Sequence, residues 1–163
     1  MVLILDGKNL ADKINKEIIE EVKKFKENGI SPTLGVIWTG EDADTLSYVN
    51  SIEEFCTKMN ISTVKRNFSD EVDENEFLKE SKKMNGNPDI HGIIFMRPLP
   101  PQIKDEEIAN LITPEKDIDC IGYANMAKVF GGIDKGFAPC TAESVIEILK
   151  YYHVELEGKN AVI

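Results

Sequence analysis

Cysteine and histidine are scarce in this sequence, which has three cysteines and two histidines in 163 residues. Cys56, Cys120 and Cys140 are widely separated, and none belongs to a C-x-x-C pair. A structural zinc site needs clustered cysteine and histidine ligands, so this sequence does not predict one. No cysteine stands in a recognisable pairing with His91 or His153, which argues against a cysteine nucleophile and leaves both histidines as structural residues. An odd, scattered set of cysteines is typical of reduced thiols in a cytoplasmic protein.

Long apolar runs and excess positive charge are also missing. No stretch approaches the roughly 20 apolar residues of a membrane-spanning helix, and no basic region precedes the apolar residues 2–5, which therefore do not form a signal peptide. The net charge of −10 argues against nucleic acid, because phosphate binding needs clustered lysine and arginine. No G-x-G-x-x-G or other phosphate-binding loop occurs, so no dinucleotide site is predicted within these residues.

Short apolar runs alternate with longer stretches that have the period of an amphipathic helix. The predicted strands are residues 2–5, 34–38, 61–66 and 90–96, and the predicted helices are residues 10–25, 42–59 and a third that begins at the capping pattern Asp73-x-x-Glu76. Regular alternation of this kind predicts an α/β fold, a three-layer parallel sheet with helices on both faces. Ligands bind outside the carboxyl ends of such strands, so we expect the site near Trp38-Thr39-Gly40 and Met96-Arg97-Pro98.

The last third of the sequence predicts a connection to a further strand. After Pro101 we expect a short helix at 106–112, a long loop at 113–139 and a helix at 142–152 that Thr141 caps. Residues 160–163 then read as the start of an apolar strand. Because a protein seldom stops partway through such a strand, we expect the chain to be part of a longer protein; a naturally short chain is the alternative.

Four segments, in this order and spacing, resemble a known family. They are SYVNSIEEF at 47–55, HGIIFMRPLPP at 91–101, PEKDIDCIG at 114–122 and APCT at 138–141. Together they resemble the N-terminal catalytic domain of the bifunctional methylenetetrahydrofolate dehydrogenase/cyclohydrolase family. The resemblance implies a catalytic domain at 1–140, and at 141–163 a connecting helix and the first strand of a Rossmann-type NAD(P)-binding domain.

The resemblance also implies an activity and its partners. The family works in cytoplasmic one-carbon metabolism, where it oxidises 5,10-methylenetetrahydrofolate with NADP or NAD and hydrolyses the methenyl product to 10-formyltetrahydrofolate. Members are usually homodimers, and the dimer contacts lie largely in the cofactor domain. NADP or NAD is therefore expected for a chain that carries that domain, and no cofactor is expected to bind the 163 residues alone.

Two polar positions of the family are apolar in this sequence. The family has Tyr-x-x-x-Lys where this chain has Tyr48 followed by Ile52, and a glutamine at the strand end where this chain has Met96. Isoleucine cannot relay a proton as a lysine of lowered pKa can. Replacing two paired polar groups by two apolar ones can be nearly neutral for stability, so the changes read as one consistent replacement. Independent drift in a decayed gene is the alternative.

The remaining site residues are also implied by the resemblance. We expect one cleft lined by Tyr48, Ile52, Phe95, Met96, Arg97 and Asp119, where the tyrosine ring stacks on the pterin-like rings and Asp119 hydrogen-bonds their edge. Arg97 replaces a leucine of the family. Three alternatives are open for its side chain, which are to pair with a ligand carboxylate, to pair with Glu53 or Glu54, or to face solvent. Cys120 occupies a position that is usually glycine, and Asp117 is interpreted as structural.

Two functions remain open from the sequence. The first is an enzyme of folate one-carbon metabolism whose hydrolytic step is impaired. The second is a non-catalytic relative that binds a folate or another small ring compound.

Overall fold

The computed structural model describes residues 4–133, 136–160 and 162. Within these residues the chain forms an α/β fold of three strands and six helices, as the alternating sequence pattern predicts. The elements in chain order are α1 (Gly7–Glu27), β1 (Thr33–Thr39), α2 (Ala43–Lys58), β2 (Ser62–Phe68), α3 (Glu74–Gly86), β3 (Gly92–Phe95), α4 (Asp105–Leu111), α5 (Tyr123–Phe130) and α6 (Cys140–Tyr151). None of the described helices is both long and apolar enough to cross a membrane.

The sheet is parallel and its strand order is β2-β1-β3. Thr33 of β1 lies opposite Ser62 of β2, and Leu34 lies opposite Gly92 of β3. Strand β1 is therefore hydrogen-bonded on both sides, which suits its nearly continuous apolar sequence. On the edge of β3 that does not pair with β1, Ile93 forms an isolated parallel bridge with Asp117.

Side chains of β1 alternate between the two faces of the sheet. Ile37 belongs to the α3-side core, which also contains Phe68, Phe77, Ile90, Ile93, Phe95 and Ile108. Val36 and Trp38 belong to the α2-side cluster, whose other members are Val49, Met96 and the partly buried Leu34, Leu46, Ile52 and Ile94. Helices thus cover both faces, and the predicted three-layer architecture is confirmed.

One of the two predicted helix caps is present. The Asp73 carboxylate accepts a hydrogen bond from the Asn75 N–H at 2.9 Å, and at the start of α2 the Asp42 carboxylate accepts one from the Thr45 N–H at 3.0 Å. The other prediction was wrong, because α6 begins at Cys140 and Thr141 lies inside it. The N-cap position is Pro139, whose side chain cannot form a capping hydrogen bond.

Other predictions of secondary structure need correction. The expected loop 113–139 contains the helix α5. Of the expected first strand, residues 2 and 3 lie outside the described residues, while Ile4 and Leu5 have no strand partner and are exposed. Of the expected last strand, residues 161 and 163 lie outside the described residues, and the residues at 160 and 162 are not in a strand. An apolar run becomes a strand only where a neighbouring chain pairs with it, which sequence periodicity does not specify.

Helix α1 and helix α6, the first and last described helices, are in contact. The Tyr152 hydroxyl accepts a hydrogen bond from the Asp6 N–H at 3.0 Å and lies 3.1 Å from the Asp6 carbonyl oxygen, to which it donates. Helix α1 contacts α6, and Gly7 approaches Ile148 so closely that a β-carbon at Gly7 would lie 3.2 Å from its Cδ1. The start of α1 therefore supports α6 and the residues where α6 begins.

Ser81 provides a test of the α3-side packing. It is fully buried one turn after Phe77, and its hydroxyl has no hydrogen-bond partner among the described residues. Because an unsatisfied buried hydroxyl costs about 1–3 kcal/mol, Ser81→Ala should raise the free energy of unfolding by about 1 kcal/mol in urea denaturation. Ser51→Ala in α2 is the matched control, since it gains the same helix propensity at an exposed site. Equal changes in the two variants would contradict the prediction.

Candidate functional site

A groove of about 580 Å³ runs between α2 and the sheet. Helix α2 supplies Tyr48, Ile52 and Phe55 to it, at the i, i+4 and i+7 positions of one helix face. Leu34 of β1, Ile94 of β3 and Ile118 of the following segment form the opposite wall. The volume lies in the range of small-ligand sites, which are mostly apolar with a few polar groups.

The polar side chains of the groove are the hydroxyls of Thr33, Tyr48 and Ser51, the Cys56 thiol and the His91 imidazole. The Ser51 hydroxyl donates to the Ser47 carbonyl oxygen at 2.9 Å, and His91 Nδ1 accepts from the Thr33 N–H at 3.2 Å. Burial raises the pKa of the Cys56 thiol, which therefore stays protonated near neutral pH. None of the residues that line the groove is a lysine, arginine, aspartate or glutamate. The groove is suited to the flat face of an apolar or aromatic ring and supplies no charged group to it.

Ile52 and Met96 lie in one apolar cluster. Met96 is 7% exposed and packs with Trp38 and Val49, and the half-buried Ile52 packs against the same cluster while its outer side faces the groove. The indole N–H of Trp38 is buried without a partner among the described residues, so no described acceptor of the cluster satisfies it. An unpaired lysine or amide here would carry the cost of a desolvated polar group. This packing supports the interpretation of the two residues as a joint replacement.

The two aspartates of the 117–119 segment have different surroundings. Asp117 is buried, and its carboxylate accepts hydrogen bonds from the N–H groups of Ile121 and Gly122 and from Asn125 Nδ2, at 2.9, 3.0 and 3.1 Å. Asp117 thus holds the turn that leads into α5, as its structural interpretation predicts. Asp119 is exposed and directly follows Ile118, a residue of the groove wall.

Two thiols accompany Asp119. Cys140 is an exposed residue whose Sγ donates to the Ile118 carbonyl oxygen at 3.3 Å, and the pKa of this thiol is raised, first by partial desolvation and then by the Asp119 carboxylate. Cys120 has a φ of 57°, the left-handed conformation that glycine adopts most easily. Its pKa is raised by burial and by the charges of Asp117 and Asp119. Both thiols are neutral neighbours of Asp119 near neutral pH.

Phe95 and Arg97 do not line the groove. Phe95 is 3% exposed in the α3-side core, with its ring centroid 6.3 Å from that of Phe77, because alternate residues of β3 point to opposite faces. Arg97 forms an ion pair with Asp105 of α4. Glu53, one of its expected partners, instead pairs with Lys65 at 2.5 Å. Of the six residues expected in one cleft, Tyr48 and Ile52 line this groove, whereas Phe95, Met96, Arg97 and Asp119 are not among its lining residues.

The groove lies nearer the amino ends of the strands than expected. None of the residues 38–40 and 96–98, at the carboxyl ends of β1 and β3, lines it, whereas its lining residues Thr33, His91 and Gly92 lie at the amino ends. The reason is the course of α2, which returns the chain from the carboxyl end of β1 to the amino end of the parallel strand β2. Its later turns therefore cover the amino ends of the strands.

Eleven of the thirteen groove residues were not predicted as site residues, among them Leu34, Phe55, Ile94 and Ile118. Phe55 had a usable signal, since it continues the helix face that contains Tyr48 and Ile52. Ile118 had none, because its position depends on how the segment after α4 returns to β3.

Comparison with known proteins gives one consistent result. The profile of the tetrahydrofolate dehydrogenase/cyclohydrolase catalytic domain matches residues 5–119. The chain is 44% identical over 160 residues to the bifunctional protein FolD of Alkaliphilus oremlandii, which covers 98% of this chain and 56% of the relative. It is 42% identical over 163 residues to FolD of Clostridium kluyveri, with 100% and 57% coverage. The chain thus spans slightly more than half the length of these curated relatives.

Solved structures show the same similarity. The bifunctional FolD enzyme of Campylobacter jejuni superposes with a TM-score of 0.93 at 33% identity, covering 96% of this chain and 56% of that one. The Trypanosoma brucei dehydrogenase-cyclohydrolase, solved with NADP cofactor and inhibitor, gives 0.87 at 30% identity, with 97% and 54% coverage.

The two aspartates allow a matched comparison of structural and exposed carboxylates. Asp117→Ala should lower the free energy of unfolding by at least about 2 kcal/mol, because two buried donors and one partly buried donor lose this acceptor. Asp119→Ala should change it by less than about 0.5 kcal/mol, as expected for an exposed residue. Urea unfolding of both variants and the parent chain measures the difference. A large loss of stability in Asp119→Ala would show that the second carboxylate is structural too.

Proposed function

The chain belongs to the tetrahydrofolate dehydrogenase/cyclohydrolase family, and from this premise we propose that the groove beside α2 binds the ring system of a reduced folate. Tyr48 supports the proposal because its side chain is 61% exposed at the groove and offers an aromatic face to a planar ligand. The apolar walls favour the rings over the anionic glutamate tail, which has no cationic side chain in the groove to pair with. Asp119, next to the groove wall, would accept hydrogen bonds from the ring edge.

We further propose that a protein with this domain serves folate one-carbon metabolism and that its hydrolytic step is impaired. In hydrolysis, the oxygen of water bonds to the methenyl carbon and loses its protons, while the bond from that carbon to N5 breaks and N5 takes up a proton. The products are 10-formyltetrahydrofolate and one released proton. Acid–base assistance to such transfers is worth about 10²- to 10⁴-fold.

The observation that carries this proposal is the apolar packing of Ile52 against the cluster that contains Met96. Neither side chain can accept or donate a proton, and no lysine or carboxylate lines the groove in their place. The one imidazole among the lining residues, that of His91, directly precedes β3, where its Nδ1 accepts a hydrogen bond from the Thr33 N–H. Arg97 does not substitute for them, since its guanidinium remains charged and is paired with Asp105.

The oxidation needs NADP or NAD, and the described residues do not fit that cofactor. They contain no glycine-rich loop between a strand and a helix, the arrangement that holds a pyrophosphate. No step through the cofactor is derived for these residues, and we expect the 163-residue chain alone to give no NAD(P)-dependent turnover. For a chain that carries the cofactor domain, the proposal includes oxidation of 5,10-methylenetetrahydrofolate, a cytoplasmic location and a homodimer.

A non-catalytic binding protein is the second candidate. The same apolar replacement of Ile52 and Met96 favours it, because stacking and shape can hold a ring without proton transfer. The two candidates differ in whether the methenyl compound is consumed when it is bound.

Tyr48 tests ring binding. Tyr48→Ala should weaken the binding of tetrahydrofolate about threefold to tenfold, the value of one lost aromatic contact, while Tyr48→Phe should retain it. Isothermal titration calorimetry on the 163-residue chain measures both affinities. Tyr123→Ala is the matched control, since Tyr123 is 49% exposed but does not line the groove. An equal loss in Tyr48→Ala and Tyr123→Ala would refute stacking at Tyr48.

The missing acid–base pair can be restored. Ile52→Lys with Met96→Gln should accelerate hydrolysis of 5,10-methenyltetrahydrofolate by about 10²-fold or more, because a lysine at the groove edge can relay a proton and the amide can hold it. Loss of the methenyl absorbance in stopped-flow measurements gives the rate, corrected for the uncatalysed reaction.

The control for position is Ser51→Lys, which adds an ammonium group to the same groove without a partner at Met96. It should give no comparable gain. Met96→Gln alone should cost about 1–3 kcal/mol of stability through its unpaired buried amide, and addition of Ile52→Lys should recover part of this loss. Absence of a rate gain in the double variant, while tetrahydrofolate still binds, would defeat the argument from proton transfer.

A further inference from the structure

His91 contributes a hydrogen-bond donor of fixed orientation to the groove beside α2. Its Nδ1 accepts from the Thr33 N–H at 3.2 Å, so in this arrangement Nδ1 carries no proton. The single proton of the neutral imidazole is then on the other nitrogen, because the hydrogen bond at one ring nitrogen sets the state of the other. The resulting Nε2–H has no hydrogen-bond partner among the described residues, and the residue is exposed, so a ligand can reach it.

Few other side chains of the groove can donate to a ligand. The hydroxyls of Thr33 and Ser51 each donate to the carbonyl oxygen of a residue two or four positions earlier, at 2.9 Å in both cases. The Cys56 thiol is a weak donor. The Tyr48 hydroxyl and the His91 Nε2–H therefore remain as the stronger side-chain donors of the groove for a ligand.

The two remaining donors belong to different parts of the groove. Tyr48 lies in the first half of α2, whereas His91 lies at the amino ends of the strands, which the later turns of α2 cover. From Tyr48 to Phe55 the helix advances about 10 Å along its axis, which is longer than a two-ring pteridine. A pteridine stacked on Tyr48 thus leaves an apolar length of groove beyond it, where Phe55 is 45% exposed.

A reduced folate has a group that fits this length. Its p-aminobenzoyl ring continues from the pteridine and ends in an amide, whose carbonyl oxygen is a neutral acceptor. We propose that His91 is a specificity-determining residue, whose Nε2–H donates to this carbonyl oxygen while the benzoyl ring lies beside Phe55. Because the Thr33 N–H holds the imidazole, the donor is oriented before the ligand binds, which favours affinity. This inference rests on the folate site proposed above and adds a residue to it.

Two amide substitutions separate the two nitrogens of His91. In His91→Asn the amide oxygen can replace Nδ1 as the acceptor for Thr33, but the side chain is too short to place a donor where Nε2 lies. In His91→Gln the amide nitrogen can take the place of Nε2. Calorimetry on the 163-residue chain should show tetrahydrofolate binding weakened about threefold to tenfold in His91→Asn, the value of one hydrogen bond, and largely retained in His91→Gln.

Two controls accompany this measurement. His153→Asn should change the affinity less than twofold, because His153 does not line the groove and its φ of 54° suits asparagine. The second control is a ligand, 6-methyltetrahydropterin, which has the pteridine but no benzoyl amide. Its affinity should be the same within twofold in the parent chain and in His91→Asn. Urea unfolding of each variant checks that the fold is retained.

Three results would overturn the inference. Unchanged tetrahydrofolate affinity in His91→Asn would show that only the contact with Thr33 matters. An equal loss for tetrahydrofolate and 6-methyltetrahydropterin would place the effect of His91 elsewhere than at the amide, and an equal loss in His91→Asn and His91→Gln would show that the donor is not used. Each of these leaves the proposed folate site intact. Absence of tetrahydrofolate binding to the parent chain is a different outcome, which removes the proposed function and this inference together.

Discussion

The pairing of β1 on both of its edges is the constraint on which the rest of the structure depends. Hydrogen bonds to β2 and β3 fix its register, and fixed register assigns Ile37 to one face and Val36 and Trp38 to the other. A slip of one residue would exchange the faces and bury the wrong side chains. The contacts of α2 and α3 with the sheet follow from this assignment.

The candidate site follows from the same alternation. Because Ile94 points toward α2 and Phe95 away from it, the end of β3 delivers Met96 to the α2-side cluster, where it meets Trp38 and the cluster against which Ile52 packs. A polar pair at 52 and 96 would have to satisfy every buried donor and acceptor, whereas an apolar pair needs only to fill the space. The groove beside α2 thus has apolar walls that include Ile52 and Ile94, and none of its lining residues is a lysine or a carboxylate.

Much of this architecture could be predicted from local patterns. Asp42 and Asp73 begin their helices through side-chain hydrogen bonds to residues two or three positions later, and Tyr48 and Ile52 share a face because one helical turn separates them. The failures were non-local. The run at 2–5 was expected to form a strand although no partner was known, and Thr141 was expected to cap a helix that begins one residue earlier.

The sequence by itself determined the alternation of helices and strands from α1 to β3, the family and the apolar side chains at 52 and 96, because periodicity, capping residues and residue types are read from the chain without knowledge of distant contacts. Only the tertiary structure decided that Phe95 is a core residue, that Arg97 pairs with Asp105, and that the Cys140 thiol reaches the Ile118 carbonyl oxygen. These facts depend on which face each strand residue presents and on how distant segments return to the sheet. Such contacts are settled by the packing of the whole chain, which no local pattern encodes.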